Sequence, residues 1–142
     1  MSRRKRPSQS PPAGQAEAVP EPAAIRMRVL VDLSGDCPFE DWIYGLQDRQ
    51  TQARIVTRLL RMQRGSFGDH RERISGAVCE LRIDYGPGYR VYYARRGDML
   101  VVLLGGGTKQ GQQRDIEAAK ALWERNANDV EGLLREYGSA AE

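Results

Sequence analysis

Histidine is almost missing from this chain: His70 is the only one in 142 residues. A metal site built from imidazoles is therefore not expected. Cysteine is scarce as well. Cys37 and Cys79 form no CxxC pair and give no disulfide framework, so both read as reduced thiols. No apolar run approaches the roughly 18 residues of a membrane-crossing helix. The basic start "MSRRKRPSQS" is not followed by an apolar stretch, so it does not read as a secretory leader. These absences lead to the expectation of a cytoplasmic protein with no membrane contact, no metal and no cofactor.

Lysine is the next shortage. Outside the first residues it occurs only at Lys109 and Lys120, and the remaining basic charge is arginine. The net charge of +3 is unevenly spread. Residues 45–114 hold 13 basic and 6 acidic side chains, a net +7, whereas residues 115–142 hold 3 basic and 7 acidic, a net −4. Arginine forks match phosphate oxygens bidentately and stay charged, so a basic, arginine-built middle points to a polyanion partner. The alternative is a solvated surface.

Residues 1–24 are rich in Pro, Ala, Ser and Gln and have little to bury, which reads as a disordered basic arm. A strand is expected over "IRMRVLVDL" (25–33). A helix follows on the stripe Phe39, Trp42, Ile43 and Leu46, with Ser34 or Asp36 as its cap and Pro38 in its first turn. A second helix over 48–65 has Asp48 as cap and Gly65 as stop. Its buried face is expected to be Ile55, Val56, Leu59, Leu60 and Met62, with Arg54, Arg58 and Arg61 lined up on the other side. "GSFGDHRERISGAV" reads as a polar loop, with His70 exposed in it. Three strands then follow, "VCELRID", "YRVYYAR" and "MLVVLLGG", joined by the turns "YGPG" and "RRGD". The last is apolar on both faces and should be central. A C-terminal helix carries Ile116, Ala119, Leu122, Trp123 and Val130, and its pattern is expected to continue through Leu133, Leu134 and Tyr137. Trp42 and Trp123 are expected in the core.

The resulting order, β-α-α-β-β-β-α, defines an α+β domain. The expected architecture is a small twisted antiparallel sheet with the two N-terminal helices packed on one face and a C-terminal helix. Residues 25–126 form the domain, and 127–142 a helical extension and tail. Strand alternation then turns Cys79, Leu81 and Ile83 inward and leaves Glu80, Arg82, Arg90 and Tyr92 together on the helix-free face. "GGGTK" lacks the spacing of a phosphate-binding P-loop, so nucleoside triphosphate binding is not expected.

The run "ELRIDYGPGYRVYY", followed at a short distance by "LLGGGTKQ", closely resembles the RelE/ParE toxin superfamily of bacterial toxin–antitoxin modules. Within it, the resemblance is to the branch of HigB-like addiction-module killer proteins, and it extends over about residues 27–126. It implies a RelE-like fold and a cognate antitoxin partner. It also implies either cleavage of messenger RNA on the ribosome, as a metal-independent endoribonuclease, or inhibition of DNA gyrase by contact, as in ParE-like members. A decayed, non-toxic interaction module is a third possibility.

The resemblance further implies residue roles. Arg90 matches the arginine that starts the strand after the hairpin turn. Arg82 matches one of the alternating basic residues on the strand before it, and Glu80 stands in the place of another. Lys109 falls at the basic position after the last strand, and Arg114 lies just beyond. Cleavage by the RNA's own 2′-hydroxyl needs donors for the phosphate's developing charge and an acid and base for the proton transfers. Arg82, Arg90 and Lys109 are the candidate donors and Glu80 the candidate base. The family's aromatic or histidine near the C-terminal segment is replaced here by "KQGQQRDIE", so Tyr92 is the candidate stacking residue. Arg54, Arg58, Arg61 and Arg114 are candidate RNA contacts.

Overall fold

The computed structural model describes residues 24–138. Of the arm expected over 1–24, all but Ala24 lies outside the described residues. Strand β1 (Arg26–Leu30) leads to helices α1 (Pro38–Gly45) and α2 (Arg49–Gln63). Strands β2 (His70–Ser75), β3 (Val78–Ile83), β4 (Tyr89–Arg96) and β5 (Leu100–Thr108) follow. A short 3-10 turn precedes α3 (Gln112–Asn126), and a 3-10 segment (Ala127–Leu133) leads to β6 (Leu134–Glu136).

The α+β class is as expected, but the sheet is larger and mixed. Six strands lie in the order β2-β3-β4-β5-β1-β6. β1 runs parallel to β5, with Arg26 opposite Leu100, and the other pairs are antiparallel. Two expectations are corrected here. The polar loop holds an edge strand, β2, whose charged "HRERIS" suits an exposed sheet border. The segment beyond residue 126 is not an extra helix: its described part turns as 3-10 and then adds β6 to the sheet, so it belongs to the domain.

The helices do not share one face. Met27, Val29, Leu81, Val91, Tyr93 and Leu103 pack with Phe39 and Ile43 of α1 and Ile55, Leu59 and Met62 of α2. On the other face Val78, Tyr92, Ala94, Val102 and Leu104 pack with Ala119, Leu122 and Trp123 of α3. β5 supplies both cores, as its two-sided apolar character requires. Leu60, expected inside, is exposed.

Local signals set the element ends. Asp48 caps α2, its carboxylate accepting from the Gln50 N–H at 3.0 Å and the Thr51 hydroxyl at 2.9 Å. Cys37, not Ser34 or Asp36, precedes α1, with Pro38 in the first turn. The glycines of β5 allow close packing: a Cβ on Gly106 would strike the Trp42 ring, and one on Gly107 the Asp115 carboxylate. A latch ties α1 to β6. Arg135 grips Glu40 with two bonds of 2.6 and 3.3 Å, and the Gly138 N–H adds a third at 3.0 Å.

Candidate functional site

The β3–β4 hairpin turns through Gly86 (φ 56°) and Gly88 (φ 85°). Both need the left-handed region that glycine enters at little cost. Across the hairpin Arg82 lies opposite Arg90, and Arg90 opposite Gly107 on β5. Two cations facing each other across a ladder destabilise it unless something neutralises them. Past the end of β5, the Lys109 N–H donates to the Gly88 carbonyl at 2.8 Å, which brings that side chain to the same place. The space above Gly88 is flanked by the Lys109 Cβ and the Arg90 Nη1, 3.5 and 3.6 Å from where a Cβ would stand. Arg82, Arg90 and Lys109 thus line one open cavity of about 320 Å³, together with Asp69, Asp84 and the turn.

The counter-charges are arranged in two layers. Asp69, at the cavity wall, meets the Arg82 Nε at 3.5 Å. Glu80 lies beneath, wholly buried, with its Oε2 3.5 Å from the Arg90 Nε. Gln112, the first residue of α3, donates to the same Glu80 oxygen. The other oxygen, Oε1, is buried without a hydrogen-bond partner. The Arg90 Nε is likewise buried without a hydrogen-bond partner, so the Glu80 carboxylate acts on it by charge, and one of the Arg90 terminal nitrogens donates to the Tyr89 carbonyl at 3.1 Å.

Helix α3 covers much of the face expected to be open. It starts over Glu80 and passes above the β2–β3 turn, where Lys120 and Glu124 approach Gly76. No α3 residue lines the arginine cavity. Tyr92 is accordingly fully buried and cannot present a ring for stacking. Burial, with smaller contributions from the Glu80 and Asp115 carboxylates, pushes its phenol above the usual range. Glu80 cannot reach a substrate directly either, because its side chain has no exposed surface.

The other expected contacts separate. Arg58 is structural: it donates to the backbone carbonyls of Arg82, Phe67 (3.0 Å) and Asp69 (3.1 Å), and so fixes two walls of the cavity. Arg54 lies over the Tyr85 ring, 4.2 Å from its centroid, and with Arg61 lines a neighbouring cavity. Arg114 is exposed, 3.9 Å from Asp115, and lines neither. His70 sits on β2 against Phe67, with its Nδ1 2.8 Å from the Gly68 carbonyl. Sequence reasoning missed Asp69 and Asp84. The apolar neighbour Ile83 and the "YGPG" turn were the available signal that Asp84 ends a strand at the cavity mouth.

Among the described residues no cluster of three or more His, Cys, Asp or Glu is placed to hold a metal ion. Among the described residues no helix is long and apolar enough to cross a membrane. The fold and site therefore define a mixed-sheet α+β domain that carries an arginine–lysine cavity at a hairpin end. The chain belongs to one family with an uncharacterized protein of Haemophilus influenzae, to which it is 43% identical over 94 residues, 66% of this chain and 94% of that relative. No family model matches the chain, and no solved structure does.

Proposed function

We propose that this protein is the toxin of a toxin–antitoxin pair, a RelE-like, metal-independent ribonuclease that cuts messenger RNA on the ribosome in the cytoplasm. The observation that carries this reading is the convergence of Arg82, Arg90 and Lys109 on one cavity. The order β-α-α, then hairpin-linked strands, then a helix also supports it, with β2 and β6 as additions to a RelE-like plan.

In this reading the 2′-oxygen attacks the adjacent phosphorus and the bond to the 5′-oxygen breaks. The departing 5′-oxygen takes a proton from water in the open cavity, so the products are a 2′,3′-cyclic phosphate and a free 5′-hydroxyl. Arg82 and Arg90 donate to the non-bridging oxygens as charge grows there, and Lys109 approaches from the turn side. The proton leaving the 2′-hydroxyl needs a carboxylate that solvent can reach. Asp84 fits: it is exposed, lines the cavity and forms no ion pair among the described residues. Asp69 is engaged with Arg82. Glu80 is a positioning residue that aims Arg90. A cognate antitoxin with acidic contact segments would neutralise the basic middle of the chain.

The test is induction in cells followed by primer extension on cellular messages. New 5′ ends that appear with the wild type and vanish with Arg90→Ala support the reading. Arrest of DNA replication before translation, with messages intact, overturns it in favour of a gyrase target.

A further inference from the structure

A second cavity, of about 600 Å³, opens between α2 and the end of β3. It adjoins the arginine cavity, and Asp84 lines both. Its floor is apolar, from Ala53, the buried Ile83 and the half-buried ring of Tyr85. Above that ring the planar guanidinium of Arg54 lies 4.2 Å from the centroid. The Tyr85 hydroxyl donates to the Gln50 Oε1 at 3.4 Å, which orients the Gln50 amide so that its N–H donors remain for a ligand.

The chemistry of this cavity differs from that of its neighbour. Arg58 spends its donors on three backbone carbonyls, Arg54 lies over the Tyr85 ring, and Arg61 also lines the cavity. Asp84 places a carboxylate at the boundary, which repels a second phosphate. What remains is a cavity bordered by the Tyr85–Arg54 stack, with amide and hydroxyl groups and the Arg61 guanidinium at its edge. A planar heterocycle with a hydrogen-bonding edge uses both the planes and the edge, whereas a phosphate would leave the planes unused. The volume falls in the usual range for small-molecule sites.

We propose that this cavity takes a nucleobase, that of a nucleotide next to the phosphate held by Arg82, Arg90 and Lys109, with Tyr85 and Arg54 supplying the stacking planes. The proposal rests on the ribonuclease reading and adds to it a residue pair that senses the neighbouring base. Asp84 sits where the strand passes from one cavity to the other, and a ribose hydroxyl there would donate to it.

The experiment uses the full chain and fluorescently labelled short RNAs, methylated at every 2′-oxygen to prevent cleavage. Binding is followed by anisotropy. One base at a time is replaced by an abasic residue. With the wild type, one abasic position should weaken binding by about 5- to 150-fold, the range that loss of one base–aromatic stack gives. With Tyr85→Ala that same position should cost nothing more, because the stack is already gone. Tyr85→Phe keeps the ring and should keep the penalty. Arg54→Ala, an exposed position on α2, should reduce it without disturbing the fold. If the abasic penalties are the same in wild type, Tyr85→Ala and Arg54→Ala, the base site is wrong. Arg90→Ala separates the two readings. If it weakens RNA binding while the Tyr85 and Arg54 variants behave as wild type, only the base site falls. If the wild type binds no RNA, the base site falls, and the ribosome-dependent ribonuclease reading is decided separately by the primer-extension result with Arg90→Ala.

Discussion

Two glutamate–arginine pairs can be compared within this one small domain. Glu40 and Arg135 meet fork to carboxylate at 2.6 and 3.3 Å, and the Gly138 N–H completes the shell. Glu80 and Arg90 meet at 3.5 Å, and one Glu80 oxygen and the Arg90 Nε are left without hydrogen-bond partners. The first pair joins α1 to β6 and spends its hydrogen bonds on the fold. The second is deeper and less satisfied, and its arginine ends in a cavity with Arg82 and Lys109. A buried pair left incompletely bonded is costly, because desolvation is not fully offset. The difference makes Glu40–Arg135 a latch and leaves Glu80–Arg90 an incompletely bonded pair, which the proposed function uses to aim Arg90.

Removing each arginine should break this comparison most clearly. Arg90→Ala should lower RNA cleavage by roughly a hundred- to thousand-fold, the loss of about 2.7–4 kcal/mol typical for one preorganised oxyanion donor. It also strands the Glu80 charge, so its thermal midpoint should fall. Adding Glu80→Gln should restore the midpoint but not the cleavage. Recovery of cleavage in that double variant would show that Arg90 has only a structural role.

Arg135→Ala should act in the opposite sense. It leaves Glu40 in a largely buried site without its fork, at a cost of roughly 3 kcal/mol, the low end for a broken buried pair. Denaturant unfolding would read this. Cleavage per folded molecule should stay at the wild-type level.

Glu80→Gln alone should be milder, with a loss in kcat of about tenfold, or 1.4 kcal/mol. The pH profile of the rate should keep its shape. If the acid limb disappears with Glu80→Gln, this carboxylate is the base and not a positioning group.

The smallest effect concerns acid stability. Burial raises the Glu40 pKa, but the Arg135 and Gly138 hydrogen bonds together outweigh it and hold the carboxyl below its usual range. A group whose folded pKa is depressed stabilises the fold above its unfolded pKa, about 4.3 for Glu. That contribution disappears as pH falls through the folded value. Glu40→Gln should therefore flatten the acid end of the stability curve and leave neutral-pH cleavage unchanged, as thermal melts at pH 3 to 7 would show.

Much of this was legible in the sequence where one local rule governed. Period-2 alternation and the "GPG" turn were enough to bring Arg82 and Arg90 together, whereas Lys109 was named because the resemblance implied it. Asp48 was read as a cap because a helix start needs an acceptor there. The readings that failed depended on partners far away in the chain. "HRERIS" has one strong apolar residue and became a strand because β3 offered an edge. "LRE" looked helical from the spacing of Leu133, Leu134 and Tyr137, yet β1 presented unpaired backbone groups that it satisfied. The apolar stripe of α3 was visible, but not which sheet face it would take, and that choice buried Tyr92 and Glu80. Asp69 was passed over because its approach to Arg82 depends on Arg58 pulling the "FGD" segment against β3.

The parallel seating of β1 bears on the order in which the molecule is completed during synthesis. Arg26 must wait for Leu100 to emerge, and Arg28 for Glu136. Contacts this distant in sequence form slowly. Until then the nascent chain displays an apolar strand with two unpaired borders, a liability for association with other chains. Arg82, Arg90 and Lys109 are all made before the latch strand. The corner that gathers these three cations can therefore assemble while the far side of the sheet is still open, and β6 then closes that side without contributing to the corner.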